Sequence, residues 1–363
     1  MTVDLTLLPD GGMSWLDASG PECHIVLSTR IRLARNLQGR PFTIRASQAE
    51  LLSVLDDVSA AARETPLLRD GVLYRVDELE SFDRVLLHER HLISKELGGL
   101  GNPTAGPRFG AGLLTTGTLG VMINEEDHLR LQTLESGLAL ESAFPAIERL
   151  DTDLGARLAV AFHPEFGYLT ACPTNAGTGL RASVLIHLPG LVLTKEIGKV
   201  LQGLSQIGLT FRGLYGEGSE VIGNFFQLSN QTTLGKSEEQ LVDHLSQMVT
   251  QVLEYEQQAR EILQREAPTV IEDKVWRAYG RLRYARILSF EETMNLLSGV
   301  RLGVGLNLIS EVSVYTLNKL LIFTQPAHLA YRQGRSLSDS ERRTERARYV
   351  RELLEADADR MAG

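Results

Sequence analysis

Four segments carry residue types at spacings suited to holding a polyphosphate beside a polar acceptor. The first is Ser28-Thr29-Arg30-Ile31-Arg32-Leu33-Ala34-Arg35-Asn36. An extended backbone here turns Arg30 and Arg32 to one side, and two parallel guanidinium forks match phosphate geometry. The second is Asn124-Glu125-Glu126-Asp127-His128-Leu129-Arg130, directly after the apolar run 119–123. Consecutive ionisable residues at the end of a buried strand are costly unless they are paired or have a task. The third is Cys172-Pro173-Thr174-Asn175-Ala176-Gly177-Thr178-Gly179-Leu180-Arg181-Ala182-Ser183. A cysteine enters a glycine-rich loop that an arginine closes, and a neighbouring guanidinium favours a thiolate. The fourth is Arg212-Gly213-Leu214-Tyr215-Gly216-Glu217-Gly218-Ser219-Glu220, whose glycines let the backbone approach a ligand closely. Each segment also has a plainer reading: an edge strand with paired arginines, a solvated turn, an inert core cysteine and a surface hairpin.

Elements must position these residues. Strand-like runs occur at 24–27, 113–123, 159–162, 182–187 and 225–228, with helix-like stretches between them. One of those helices opens on the capping-box pattern Ser47-x-x-Glu50. The irregular interleaving favours an α+β fold over a doubly wound sheet. From Ser237-x-x-Gln240 onward, Leu241, Leu245, Met248, Val252 and Tyr255 recur at helical spacing, and further caps stand at Ser289-x-x-Glu292 and Ser338-x-x-Glu341. The expected organisation is an N-terminal arm over 1–22, a mixed catalytic domain over 23–258 and a helical domain over 259–363.

Bulk properties narrow the classes. A chain of 363 residues suits two domains. A net charge of −9 does not suit nucleic acid or an anionic membrane, so an anionic ligand needs a local basic cluster. Two cysteines imply no disulfide framework. No apolar run of about 18 residues and no signal-peptide pattern is evident, so a cytoplasmic chain is expected. Leu234-Gly235-Lys236-Ser237 resembles the end of a phosphate-binding loop, but the position five before Gly235 is Asn230, not glycine. Gly303-Val304-Gly305 lacks the third glycine of a dinucleotide fingerprint. No metal-binding motif occurs.

Taken together and in order, the four segments, with Ser229-Asn230 and Leu234-Gly235, resemble the phosphagen (guanidino) kinases. The chain is most similar to the bacterial branch of that family, which phosphorylates arginine in proteins. The resemblance implies an antiparallel sheet flanked by helices, ATP as phosphoryl donor and Mg2+ held mainly through the nucleotide phosphates. It places nucleotide contacts at Ser28, Thr29, Arg30, Ile31 and Arg32, at His91 and Arg130, at Arg181, Ala182, Ser183, Val184 and Leu185, and at Arg212, Gly213, Leu214, Tyr215 and Gly216. It assigns catalysis to Glu126, Glu217 and Cys172. Small-substrate members carry a helical domain before the Ser-x-Arg-x-Arg segment, whereas 27 residues precede Ser28 here. An acceptor site open enough for a protein side chain is therefore expected.

A guanidinium has a pKa of about 12.5–13.8 against about 4.3 for glutamate, so full proton transfer beforehand would cost roughly 11–13 kcal/mol. The resemblance therefore implies that the carboxylates orient the acceptor and that Glu126 takes the proton as the N–P bond forms. Cys172 would add a third anion. The bacterial branch carries an Arg-Asp-x-x-Arg-Ala motif for allosteric phosphoarginine, where this chain has Arg342-Arg343-Thr344-Glu345-Arg346-Ala347. Arg343 stands in place of the aspartate. Implied partners are protein substrates bearing arginine, an activator protein, a Clp-type protease chaperone and a second copy in a homodimer. The implied setting is stress response and protein quality control. The alternatives are a kinase for a small free guanidine, and a non-catalytic protease adaptor with this fold.

Overall fold

The computed structural model describes residues 3–101, 106–213 and 221–362. Its centre is an eight-stranded sheet in which every neighbouring pair is antiparallel. The strands are β1 (Val26–Arg35), β2 (Val72–Arg75), β3 (Gly112–Thr115), β4 (Leu119–Ile123), β5 (Leu129–Ser136), β8 (Leu180–His187), β9 (Leu209–Arg212) and β10 (Phe225–Asn230). β6 (Phe162–His163) and β7 (Gly167–Tyr168) form a separate two-stranded hairpin. The order β2-β3-β4-β5-β1-β8-β10-β9 puts β1, β5 and β8 at the middle.

One face of the sheet is closed by α1 (Gln48–Glu64), α3 (Leu140–Gly155) and α6 (Glu238–Glu266). The capping boxes at Ser47/Glu50 and Ser237/Gln240 both form and start α1 and α6. The stripe Leu241, Leu245, Val249 and Val252 then faces Val184, Ile186 and Leu228 in one core. α2 (Ser81–Glu89) packs at the β2–β4 end, and α4 (Pro189–Leu193) and α5 (Ile197–Gln206) connect β8 to β9. α7 (Pro268–Tyr284), α8 (Phe290–Gly305), α9 (Val314–Phe323), α10 (Pro326–Gln333) and α11 (Asp339–Ala362) follow. The core of this helical region also takes in Leu27, Leu185 and Phe225 from the sheet. α6 runs unbroken through residues 258 and 259, and the helical path breaks at Ala267, before Pro268.

The N-terminal arm is folded. Three 3-10 turns, Leu5–Leu7, Pro9–Gly12 and Ser14–Leu16, bury Leu5, Trp15 and Leu16. The apolar residues among its glycines and prolines decide the outcome: Val3, Leu5 and Leu8 share a cluster with Leu113 and Met122. The expected single strand over 113–123 is a hairpin. Gly117 takes φ 102, and the Thr115 hydroxyl donates to the Leu119 carbonyl to close the turn. The run 159–162 contributes only Phe162 to a strand, apart from an isolated bridge of Val160 with Leu37.

Candidate active site

Strand alternation builds the floor of the site. In β1 the residues Ser28, Arg30 and Arg32 share one face. Arg30 lies opposite Leu134 of β5 and Ser183 of β8, and Arg32 lies opposite Gln132 and Arg181. Arg130 pairs with Ala34, two residues along that face from Arg32. Gln227 of β10 links Leu185 to Arg212 of β9. Arg30, Arg32, Arg130, Arg181 and Arg212 thereby line one groove, together with His91 and Glu126. Ser28, Ser183 and Leu185 adjoin it, lining a smaller hollow with Arg30, His91 and Trp15. The same alternation turns four of the expected nucleotide contacts away. Thr29, Ile31, Ala182 and Val184 are buried on the helix-covered face, where the Thr29 hydroxyl donates to the Gly137 carbonyl at 2.7 Å.

The floor is strongly positive. Glu125 pairs with Arg130 almost wholly out of solvent. Burial works to raise the Glu125 carboxyl, but Arg130, the Ser94 hydroxyl and the Glu126 amide outweigh it and hold the group ionised. Arg30 and Arg32 are governed instead by burial and by their like-charged neighbours. Burial, then Arg130 and Arg181, push Arg30 down to about 10. Burial and Arg30, Arg130 and Arg181 hold Arg32 well below the usual arginine range, with Glu125 the single opposing influence. Like charges placed side by side in a partly buried groove are stabilised by a bound polyanion.

His91 is held at the groove wall and is not a surface histidine. It takes φ 60 at the end of α2, its carbonyl accepts from Gln132 Nε2 at 2.9 Å, and Trp15 meets its ring edge-on at 5.5 Å. Burial, then Arg30, pushes its pKa down to about 3, so the ring is neutral.

The turn between β4 and β5 also lines the groove. Asn124 takes φ 56 and donates through its side chain to the Leu51 and Gly110 carbonyls at 2.8 and 2.9 Å. The Asn124 amide donates to the His128 carbonyl at 2.9 Å, closing the turn. His128 Nδ1 accepts from the Leu37 amide at 3.0 Å, which places its proton on Nε2 for the Pro41 carbonyl. Asp127 accepts from Asn36 Nδ2 and from the Ala171 amide, both at 2.6 Å. Asn175 Nδ2 lies 3.4 Å from Glu126 Oε2, and the Thr43 hydroxyl donates to the Glu126 carbonyl. Glu126 is held half-buried in the groove, and its carboxyl is raised above the ordinary value by burial and then by Asp127. A raised carboxyl is a better base for a proton leaving a guanidinium.

Cys172 stands one residue beyond the groove-lining Ala171, with Sγ 3.0 Å from Thr174 Oγ1. The Asp127 and Asn175 contacts tie its loop to Glu126. Gly213 is buried at the end of β9. Leu214, Tyr215, Gly216 and Glu217 lie outside the described residues.

The C-terminal arginines divide between core and surface in this structure. Arg346 is buried, donating to the Thr324 and Leu288 carbonyls at 2.8 and 3.1 Å, and Ala347 is in the core. Arg343 pairs with Asp339 at 2.9 Å, and Arg342 approaches the same carboxylate at 3.8 Å. Residues missed from the sequence are Arg108 and Lys95, which also line the groove, and Asn36, which joins the Glu126 turn to the Cys172 segment. An arginine within the glycine-rich stretch 98–112 was the available signal for Arg108.

Residues 53–259 match the model of the ATP:guanido phosphotransferase C-terminal catalytic domain, and residues 268–362 match that of the protein-arginine kinase McsB C-terminal domain. A protein-arginine kinase of Symbiobacterium thermophilum is 46% identical over 345 residues, covering 94% of this chain and 96% of the relative. One from Bacillus subtilis (strain 168) is 42% identical over 349 residues, covering 96% and 94%. Among solved structures, lombricine kinase superposes with a TM-score of 0.57 at 26% identity, covering 67% of this chain and 70% of that one. The duplicated taurocyamine kinase of Schistosoma mansoni gives 0.59 at 27% identity over 70% of this chain, which spans about a third (35%) of that longer protein. With the arginine-floored groove that Glu126 lines, these likenesses make the chain a member of the ATP:guanidino phosphotransferase family, in its protein-arginine kinase branch.

Proposed function

We propose that this enzyme transfers the γ-phosphoryl group of ATP to the guanidinium of arginine side chains in proteins. The observation that carries the reading is the convergence of five arginines from four strands on one groove that Glu126 also lines. Phosphoryl transfer depends mostly on positioning and charge stabilisation. Arg30, Arg32, Arg130, Arg181 and Arg212 hold the polyphosphate, and Arg130 is kept in place by Glu125. Glu126 receives the guanidinium and takes its proton while the nitrogen attacks phosphorus. The phosphoryl group moves from the ADP oxygen to that nitrogen. Cys172, with Glu217, completes the surround of the acceptor.

Among the described residues no group of three or more His, Cys, Asp and Glu is arranged for a metal ion. Kinship with the phosphotransferase family supports Mg2+ carried on the nucleotide phosphates and water. Kinship with the protein-arginine kinases supports a cytoplasmic role in stress response and protein quality control, with a protein activator, a Clp-type protease chaperone and a homodimeric state. The organisation we assign is an N-terminal arm over 1–22, a catalytic unit over 23–258 and a helical unit over 259–363.

The test incubates the protein with ATP and either a mixed protein substrate or free arginine. Mass spectrometry under non-acidic conditions is expected to find phosphate on arginine side chains, with free arginine a much poorer acceptor. Comparable specificity constants for the two would favour a small-guanidine kinase.

A further inference from the structure

We propose that a second pocket beside the acceptor end of the groove is a subsite for an apolar side chain flanking the target arginine. The inference rests on the protein-arginine kinase reading and extends it to substrate choice. The β6–β7 hairpin holds Phe162 and Phe166 out in solvent, at 59% and 49% exposure. They are nonetheless fixed: Phe162 meets Tyr168 edge-on at 5.3 Å, and Phe166 stacks on His163 at 4.9 Å. Phe162, Tyr168 and Leu234, the last 57% exposed, line a shallow surface pocket together with Gly177. Lys236 and Glu238 flank it with opposite charges, so the pocket selects by apolar contact and not by sign. Exposed apolar surface gathered in one place marks a binding site more often than scattered residues do.

The pocket is built into the acceptor end. The Tyr168 amide donates to the Gly177 carbonyl at 2.8 Å. A Cβ on Gly167 would lie 2.4 Å from that carbonyl oxygen, and one on Gly177 would lie 2.3 Å from the Thr233 carbonyl oxygen. Glycine at both positions is what lets the three backbone segments meet. Asn36 Nδ2 donates both to the Leu169 carbonyl at the hairpin base and to Asp127 beside Glu126. Hairpin and catalytic turn therefore hang on one side chain. Gly177 is two residues from Asn175, whose amide reaches Glu126, so their Cα atoms are at most about 7.6 Å apart. An extended peptide advances about 3.3 Å per residue, so a side chain two to four residues from the arginine spans the interval. Ile44, 79% exposed on the groove wall, adds a second apolar contact. Folded proteins bury their large apolar side chains, so such a subsite favours arginines in unfolded segments.

The experiment uses the full-length protein, ATP and peptides with one arginine and either leucine or serine placed two, three or four residues to each side. Phosphoarginine is quantified by mass spectrometry. At least one leucine position is expected to raise kcat/KM about tenfold over its serine match, as burial of a leucine side chain allows. Phe162→Ser and Leu234→Ser should each remove most of that preference and leave the serine peptide within about twofold of wild type. Phosphorylation of the serine peptides with no favoured leucine position would overturn the subsite and leave the kinase reading standing. Equal loss on leucine and serine peptides in both variants would also overturn it, assigning the pocket to the fold. Absence of phosphoarginine in every peptide and in a protein substrate would overturn the kinase reading itself, and the subsite with it.

Discussion

Replacing Arg32 by methionine should make the ligand-free protein more stable and weaken nucleotide binding. Arg32 sits at the centre of the positive floor: Arg30 is two residues away on the same strand face, Arg181 lies directly opposite on β8, and Arg130 lies diagonally across on β5. Same-face positions of this kind are separated by roughly 5–7 Å. At an effective dielectric of about 20, two unit charges about 7 Å apart repel by roughly 2 kcal/mol. Three such neighbours against one attraction to Glu125 leave a net repulsion of roughly 4 kcal/mol before screening. The groove is open to water and salt, so an observable gain of about 1–3 kcal/mol is expected, within the range seen when buried charge is exchanged for apolar side chains of similar volume. The gain should shrink as salt is raised. Loss of a charge-assisted bond worth about 1.5–3 kcal/mol should weaken ATP binding by roughly 10- to 100-fold. Urea denaturation and calorimetric ATP titration at two ionic strengths measure both effects. A destabilised variant, or one that binds ATP normally, would refute the picture of arginines held together for a polyanion.

Glu126→Gln should lower turnover by about 10²–10⁴-fold while ATP binding persists. Because burial and Asp127 raise the Glu126 carboxyl, and it must be deprotonated to act, wild-type turnover should fall as pH drops through a value above the ordinary 4.5, an acidic limb that the Gln variant lacks. Cys172→Ala should reduce turnover more than ATP affinity, and alkylation of the thiol without loss of activity would remove Cys172 from the acceptor site. Arg346→Met should destabilise the protein by about 2–4 kcal/mol, since it strands the Thr324 and Leu288 carbonyls. Phosphoarginine should bind the wild type weakly in calorimetry and more tightly to Arg343→Asp; tight wild-type binding that this substitution does not improve would show that Arg343 is harmless there.

Sequence alone determined the residue chemistry and much of the local structure. The Ser-x-Arg-x-Arg spacing puts its arginines on one side of any strand, because side chains alternate every residue. Ser47, Ser237, Ser289 and Ser338 cap helices where the pattern places them, since a cap is satisfied within its own first turn. Local patterns do not say which face of a strand is covered. Only the packing of α1, α3 and α6 decided that Thr29, Ile31, Ala182 and Val184 are core and that Arg30, Arg32 and Arg181 are groove. The sheet register brought Arg130 beside Arg32 from about a hundred residues away, and Gln227 beside Arg212 across an intervening loop. Tertiary contact alone also seated the N-terminal arm, with Trp15 against His91, and drew Arg346 inside. In each case the deciding energy is burial against a partner distant in the chain, which no window of neighbouring residues contains.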